Sequence, residues 1–242
     1  MSIPKIVHYC WFGEKAMPAK CKRVIETWKK HLPDYEIRLW DESTFDVSKS
    51  EYTKAAYDAG KYAFVSDYAR LYALKEYGGI YLDADVEVVR SFDDLLPEYD
   101  AVFGFEAEGR VMSAFIAAKA HHPIIHEFLE AYEHETFDPA KLVPNTVILT
   151  DILKNRGLII NNTSQVLAEN TAVFSLDYFQ TYDFSKAKLC ITENTYTIHK
   201  CFGSWCSLKD RVIFKSKYIL GKLLPEKGYY ILKQIKKKIM GR

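Results

Sequence analysis

Asp83 and Asp85 stand one residue apart behind a short apolar run, in the stretch GGIYLDADVEV at residues 78–88. In extended backbone, side chains two positions apart share a face, so a strand through this stretch presents both carboxylates together while Ala84 turns away, their backbone carbons about 6–7 Å apart. Two hard oxygen ligands at that spacing suit one divalent cation, and magnesium or manganese held by one or two protein carboxylates completes its shell with phosphate oxygens and water. Just upstream, Asp67 and Arg70 lie at i, i+3 on one helix face. The Gly78-Gly79 pair folds that helix end back beside the strand, where a guanidinium is suited to phosphate or sugar hydroxyls. Ser66 has two readings, a helix cap and a hydrogen bond to a ligand. The chemistry implied is that of a metal-chelated diphosphate, although a D-x-D taken alone equally fits a solvated strand end.

The elements that must position these groups follow from periodicity. KIVHYCWF (5–12) is rich in β-branched and aromatic residues and predicts a buried first strand. Pro18 opens a helix with Cys21, Val24, Ile25, Trp28 and Leu32 on one face, ended by Pro33-Asp34. EIRLWD (36–41) predicts a second strand, and residues 62–77 a helix stopped by the glycine pair. Further strands are expected at 100–106 and 112–119, helices at about 123–135 and 146–155, and short strands with polar turns from 158 to 208. Strand, helix, strand with short connections begins an open, doubly wound α/β sheet, whose ligands sit beyond the carboxyl ends of its strands. Asp83 and Asp85 fall at such an end.

A chain of 242 residues has room for one large α/β domain. Its 48% hydrophobic and 27% charged residues describe an ordinary globule rather than a disordered segment. The net charge of +1 conceals a division. Residues 209–242 carry eleven Lys and Arg against two acids, which leaves residues 1–208 near −8. An acidic body whose aromatics do not alternate with basic residues speaks against nucleic-acid binding. Cys10, Cys21, Cys190, Cys201 and Cys206 form no C-x-x-C pair, so neither a disulfide framework nor a zinc site is indicated, and a cytoplasmic setting is expected. No signal peptide and no 18-residue apolar span are recognised.

Taken together, FVSDYARLYALKEYGGIYLDADVEV (64–88), IPKIVHYCWFG (3–13) and YTIHKCFGSW (196–205) resemble glycosyltransferase family 32, and are similar also to the catalytic domains of the clostridial glucosylating toxins. The resemblance covers roughly residues 3–206. It implies a GT-A fold, a Rossmann-like mixed sheet flanked by helices in a single catalytic domain over 1–208, and a manganese- or magnesium-dependent, retaining transfer of a hexose-type sugar from a nucleotide sugar, UDP favoured. It places Trp11 against the nucleotide base, Asp67 and Arg70 at the donor sugar, Tyr81 near the ribose, and Asp83 and Asp85 at ribose and metal. Ser204 and Trp205 match a closing loop that reaches the diphosphate. His199 matches a third metal ligand of related retaining enzymes, although the toxins use an acid at another spacing; a structural histidine is the alternative. An imidazole ligand would favour manganese. The acceptor implied is a glycan, lipid-linked in surface or capsular polysaccharide synthesis.

Other signals compete. His122, His126, Glu130 and His134 share a helical face, but Pro123 and the apolar Ile124, Ile125, Phe128 and Leu129 read as an ordinary amphipathic helix. The tail KGYYILKQIKKKIMGR puts Leu232, Ile235 and Ile239 on one face among lysines, which suits an anionic bilayer and a peripheral place on the inner membrane face; the alternative is a solvated helix. An aspartate-nucleophile phosphatase also uses D-x-D, but wants it on the first strand and with no Asp-Arg helix before it. A non-catalytic sugar-binding module needs no metal-diphosphate pocket, and a calcium loop wants more oxygen ligands than DADVEV supplies.

Overall fold

The computed structural model describes residues 2–106, 109–139, 143–183, 188–189 and 191–202, with only the backbone of 182–183 and 188–189. In chain order the elements are β1 (Ile6–Cys10), α1 (Ala19–His31), β2 (Glu36–Trp40), α2 (Glu51–Asp58), α3 (Tyr62–Tyr77), β3 (Gly79–Leu82), β4 (Val86–Val88), β5 (Ala101–Glu106), β6 (Arg110–Val111) and β7 (Phe115–Ala118). There follow α4 (Pro123–Glu133), α5 (Asn145–Asn155), β8 (Gln165–Leu167), β9 (Thr171–Phe174), α6 (Leu176–Phe179), β10 (Tyr182–Asp183), β11 (Lys188–Leu189) and β12 (Thr197–His199).

The main sheet runs β2-β1-β3-β7-β5-β9-β8, with β6 paired to β5. β1, β2 and β3 are parallel, β7 runs against both β3 and β5, and β9 is parallel to β5. The sheet is therefore mixed. Strand alternation gives it two buried faces. Along β3, Tyr81 joins α2, α3, α4 and α5 in one core, whereas Ile80 and Leu82 join α1 and β4 in the other. The predicted face of α1 is the buried one, with Trp28 fully enclosed.

Two devices around β3 and β4 set up the site. Gly78 and Gly79 turn the chain from α3 into β3 with φ of 61° and 104°. A Cβ on Gly79 would meet the Ile6 carbonyl oxygen at 2.6 Å, so the close approach of β3 to β1 itself requires glycine. On the other face, α1 grips β4: the Trp28 indole donates to the Val86 carbonyl at 2.7 Å, and the Val88 amide donates to the Thr27 hydroxyl at 3.1 Å. β4 pairs in turn with β12, His199 opposite Val86.

The stretch 79–88 differs from the single strand expected of it. β3 ends at Leu82, Asp83 to Asp85 form a turn closed by the Val86 amide on the Asp83 carbonyl at 2.9 Å, and β4 leaves to pair with β12 instead. The carboxylates thus come together through a turn and not through the two-residue period of a strand. α2 was not read from the sequence either, although Ser50 and Thr53 form a reciprocal capping box at its start.

Candidate functional site

Asp83 extends from the end of β3, and its backbone amide donates to the Ala114 carbonyl at 2.9 Å. Its Oδ1 accepts from the Tyr81 hydroxyl at 2.8 Å and lies 3.5 Å from Arg70 Nη2. Arg70 is 4% exposed and its guanidinium lies 4.5 Å from the centre of the Tyr81 ring. It donates from Nε to the Ser66 carbonyl, from Nη1 to the Ser113 carbonyl at 2.8 Å, and it pairs through Nη2 with Asp67 Oδ1 at 2.8 Å. One arginine therefore holds both Asp67 and Asp83, and the two carboxylates hold it charged against the cost of burial.

Asp67 is itself nearly enclosed. Burial pushes its carboxyl up to about 6; Arg70 draws it down, Asp83 repels it, and a hydrogen bond from Asn145 favours the charge. That bond, from Nδ2 to Asp67 Oδ1, is 2.6 Å long, and the Ser113 hydroxyl donates to Asn145 Oδ1 at 2.9 Å. Among the described residues the second oxygen of Asp67 has no partner. Asn145 and Ser113 were missed in the sequence; the only signal was the position of Asn145 at the first turn of α5, directly after Pro144.

Asp85 faces the opposite strand pair. Its Oδ1 lies 3.2 Å from His199 Nε2, and its Oδ2 accepts the Phe202 amide at 2.7 Å. The segment after β12 is clamped over it, with Lys20 above the Phe202 ring at 3.9 Å. Burial disfavours charge on both partners, but their attraction outweighs it: Asp85 is held below the usual carboxylate range and His199 well above that of imidazole, where the Cys201 sulfur also contributes. His199 Nδ1 sits 3.1 Å from Gln180 Oε1. Gln180 was not foreseen; it is placed by Phe179, which stacks on Phe115 with centroids 3.8 Å apart in space that Gly104 leaves open.

The ligand atoms of Asp83, Asp85 and His199 lie within 4.8 Å of one another, the one such group of three among the described residues. Two carboxylate oxygens and an imidazole nitrogen match a hard-to-borderline divalent ion. Gln180 also fits the outer partner of a metal-bound histidine, because Nδ1–H donating to its oxygen leaves the Nε2 lone pair for the ion. The residues present fit manganese or magnesium.

Trp11 follows β1 directly, held by its amide on the Trp40 carbonyl and by its indole on the Lys15 carbonyl, both 2.9 Å or less, with the ring partly exposed. It leaves β1 at the same end of the sheet at which Asp83 leaves the neighbouring parallel β3. Ser66 is no cap. The helix start is Lys61, and the Ser66 hydroxyl bonds back to the Tyr62 carbonyl at 3.1 Å. The His122 face forms no metal group among the described residues: His122 caps α4, and His126 lies 3.6 Å from Glu130. Ser204, Trp205 and the basic tail 209–242 lie outside the described residues. Among those described, no helix is long and apolar enough to cross a membrane.

Known glycosyltransferases resemble the chain in sequence over part of its length and in fold. Residues 18–102, which span α1 to β5 and include Asp67, Arg70, Asp83 and Asp85, match the family described as glycosyltransferase sugar-binding region containing DXD motif, and the chain carries that region. Over 99 residues it is 37% identical to inositol phosphoceramide mannosyltransferase 3 of Schizosaccharomyces pombe, a stretch covering 39% of this chain and 28% of that relative. An uncharacterised glycosyltransferase of Acanthamoeba polyphaga mimivirus is 23% identical over 90% of each chain. The solved structure titled PaToxG Glycosyltransferase superposes with a TM-score of 0.52 at 24% identity, over 64% of this chain and 69% of that one, and shares the fold. The chain spans little more than a quarter of the length of the yeast relative.

Proposed function

We propose that the chain transfers a hexose from a nucleoside diphosphate sugar, UDP favoured, to a glycan acceptor with retention of configuration, and that a manganese or magnesium ion takes part. The observation that carries this reading is the convergence of Asp83, Asp85 and His199 beside the buried Asp67–Arg70 pair. A divalent ion held there would neutralise negative charge gathering on the diphosphate as the sugar departs.

The remaining roles belong to the chain. The free oxygen of Asp67 accepts hydroxyls of the donor sugar, and Arg70 and Asn145 hold that carboxylate in place. Arg70 and the Tyr81 hydroxyl fix the orientation of Asp83. The partly exposed ring of Trp11 offers a stacking surface for the base. Buried, preorganised charge of this kind is worth more than the same groups in water. No side-chain nucleophile is needed: the departing phosphate takes the acceptor proton on the same face of the sugar. A lipid-linked acceptor, as in surface polysaccharide assembly, agrees with the ceramide named in the yeast relative. The phosphatase alternative wants its aspartates on the first strand of the fold, whereas here they follow the third.

Thermal melting with UDP, GDP or phosphate, each with and without manganese, tests the reading. Manganese-dependent stabilisation by one nucleoside diphosphate is expected, about 2–3 kcal/mol at a hundredfold excess over Kd. Absence of any manganese-dependent shift would overturn it. A donor panel with the product anomer read by NMR then identifies sugar and stereochemistry.

A further inference from the structure

A cavity of about 390 Å³ opens between the start of α2 and the end of α4, apart from the cation-binding residues. Its size lies within the range of small-ligand sites, about 300–1,000 Å³. Tyr52, Tyr68 and Tyr132 line it, only 8%, 3% and 3% exposed, and none of their hydroxyls has a hydrogen-bond partner among the described residues. That of Tyr132 is sealed from solvent; those of Tyr52 and Tyr68 are not. Tyr52 and Tyr68 are otherwise buried residues of the cavity lining whose hydroxyls keep access to water, so a ligand seated there exchanges those bonds to water for bonds of its own.

The rim narrows the chemistry. Glu51, Glu133 and Glu135 face a single lysine, Lys49, whose ammonium lies over the Tyr72 ring at 4.5 Å. No ion pair among the described residues involves these three acids. Burial raises both phenols most; Glu133 adds to this at Tyr68, and Asp67 followed by Glu135 at Tyr52, so the phenols remain protonated donors beside carboxylate acceptors. Tyrosine rings for C–H faces, phenol donors and carboxylate acceptors are the complement of a polyol ring, and the excess of negative charge repels anionic ligands.

We propose that this cavity is a second carbohydrate subsite, taking one neutral hexose unit of a glycan. It stands on its own geometry, whatever the metal centre does. Tyr52 and Tyr132 also feel the Asp67 carboxylate, which places the subsite behind the helix turn that presents Asp67.

The test is saturation-transfer NMR on the full chain with maltose, cellobiose, lactose and mannobiose, and with glucuronate as the anionic control. At least one neutral disaccharide binds and glucuronate does not. Tyr52→Phe and the exposed Glu135→Gln each weaken that binding about fivefold, the loss of one hydrogen bond, with melting curves to show that both variants are folded. Asp85→Asn leaves saccharide binding unchanged while manganese-dependent nucleotide binding is lost. No disaccharide binding, indifference to both Tyr52→Phe and Glu135→Gln, or loss of saccharide binding in Asp85→Asn would each overturn the proposal. Failure of nucleotide binding alone would sink the transferase reading and leave this one standing.

Discussion

His199 shows how far a candidate ligand depends on what stands behind it. Without Gln180 its ring can turn or exchange tautomers, and Nε2 is no longer held beside Asp85. Gln180→Ala is expected to weaken manganese binding about 10–100-fold, as such outer partners do, measured by titration with manganese followed by EPR. Asp85→Ala is expected to abolish turnover with a matched nucleotide sugar; full activity would refute the role given to that carboxylate. A different histidine bears on stability. His8 is fully buried, its Nε2 donating to the Gly78 carbonyl at 2.8 Å while Nδ1 accepts from the Trp40 indole at 3.0 Å. A second proton would have to enter on Nδ1, where a donor already points, and burial lowers the ring from 6.5 to about 4. The unfolded chain therefore takes up this proton first as pH falls. The neutral ring's contribution is intact above pH 6.5 and is lost between there and pH 4, on the order of 3 kcal/mol. Urea melts at several pH values check this, since His8→Gln should lose that part of the slope.

The turn from α3 into β3 is the element on which the acids depend most. Gly79→Ala places a Cβ at positive φ and 2.6 Å from the Ile6 carbonyl oxygen, and neither the backbone of β1 nor that of β3 can give way cheaply. We expect a loss of about 2–4 kcal/mol, visible as a lowered Tm, with manganese affinity falling as Asp83 is displaced. Helices with a long apolar period were legible: α1 and α3 lie close to the expected bounds because one face of each is buried against the sheet. α2 escaped notice because it is only eight residues long and is held by the Ser50–Thr53 cap and its packing on α3. The break between β3 and β4 was illegible for another reason. GIYLDADVEV satisfies strand propensity throughout, and only the pairing of β4 with β12, more than a hundred residues later in the chain, draws it out of the sheet.

Charge is divided along the chain as a whole, with an acidic body of about −8 and a basic tail. We propose that this tail, if helical, sets its lysines around an apolar face and adsorbs to anionic lipid, each well-placed lysine adding about 1 kcal/mol. Deleting residues 215–242 is expected to abolish sedimentation with phosphatidylglycerol vesicles and to leave manganese-dependent nucleotide binding intact; unchanged vesicle binding would dismiss the membrane role. Composition and spacing alone sufficed for the α/β class, the first strands and helices, and Asp67, Arg70, Asp83 and Asp85 as candidates, because periodicity and residue chemistry are local properties; Trp11, Tyr81 and His199 entered only through the family resemblance. That one arginine would bind Asp67 and Asp83 together, that Asn145, Ser113 and Gln180 would orient the acids and the imidazole, and that Tyr52, Tyr68 and Tyr132 would line one cavity was decided by packing. Apart from the Asp67–Arg70 pair, those bonded contacts join residues 13 to 78 positions apart, and a hydrogen bond between distant segments leaves no period in the sequence from which it could be read.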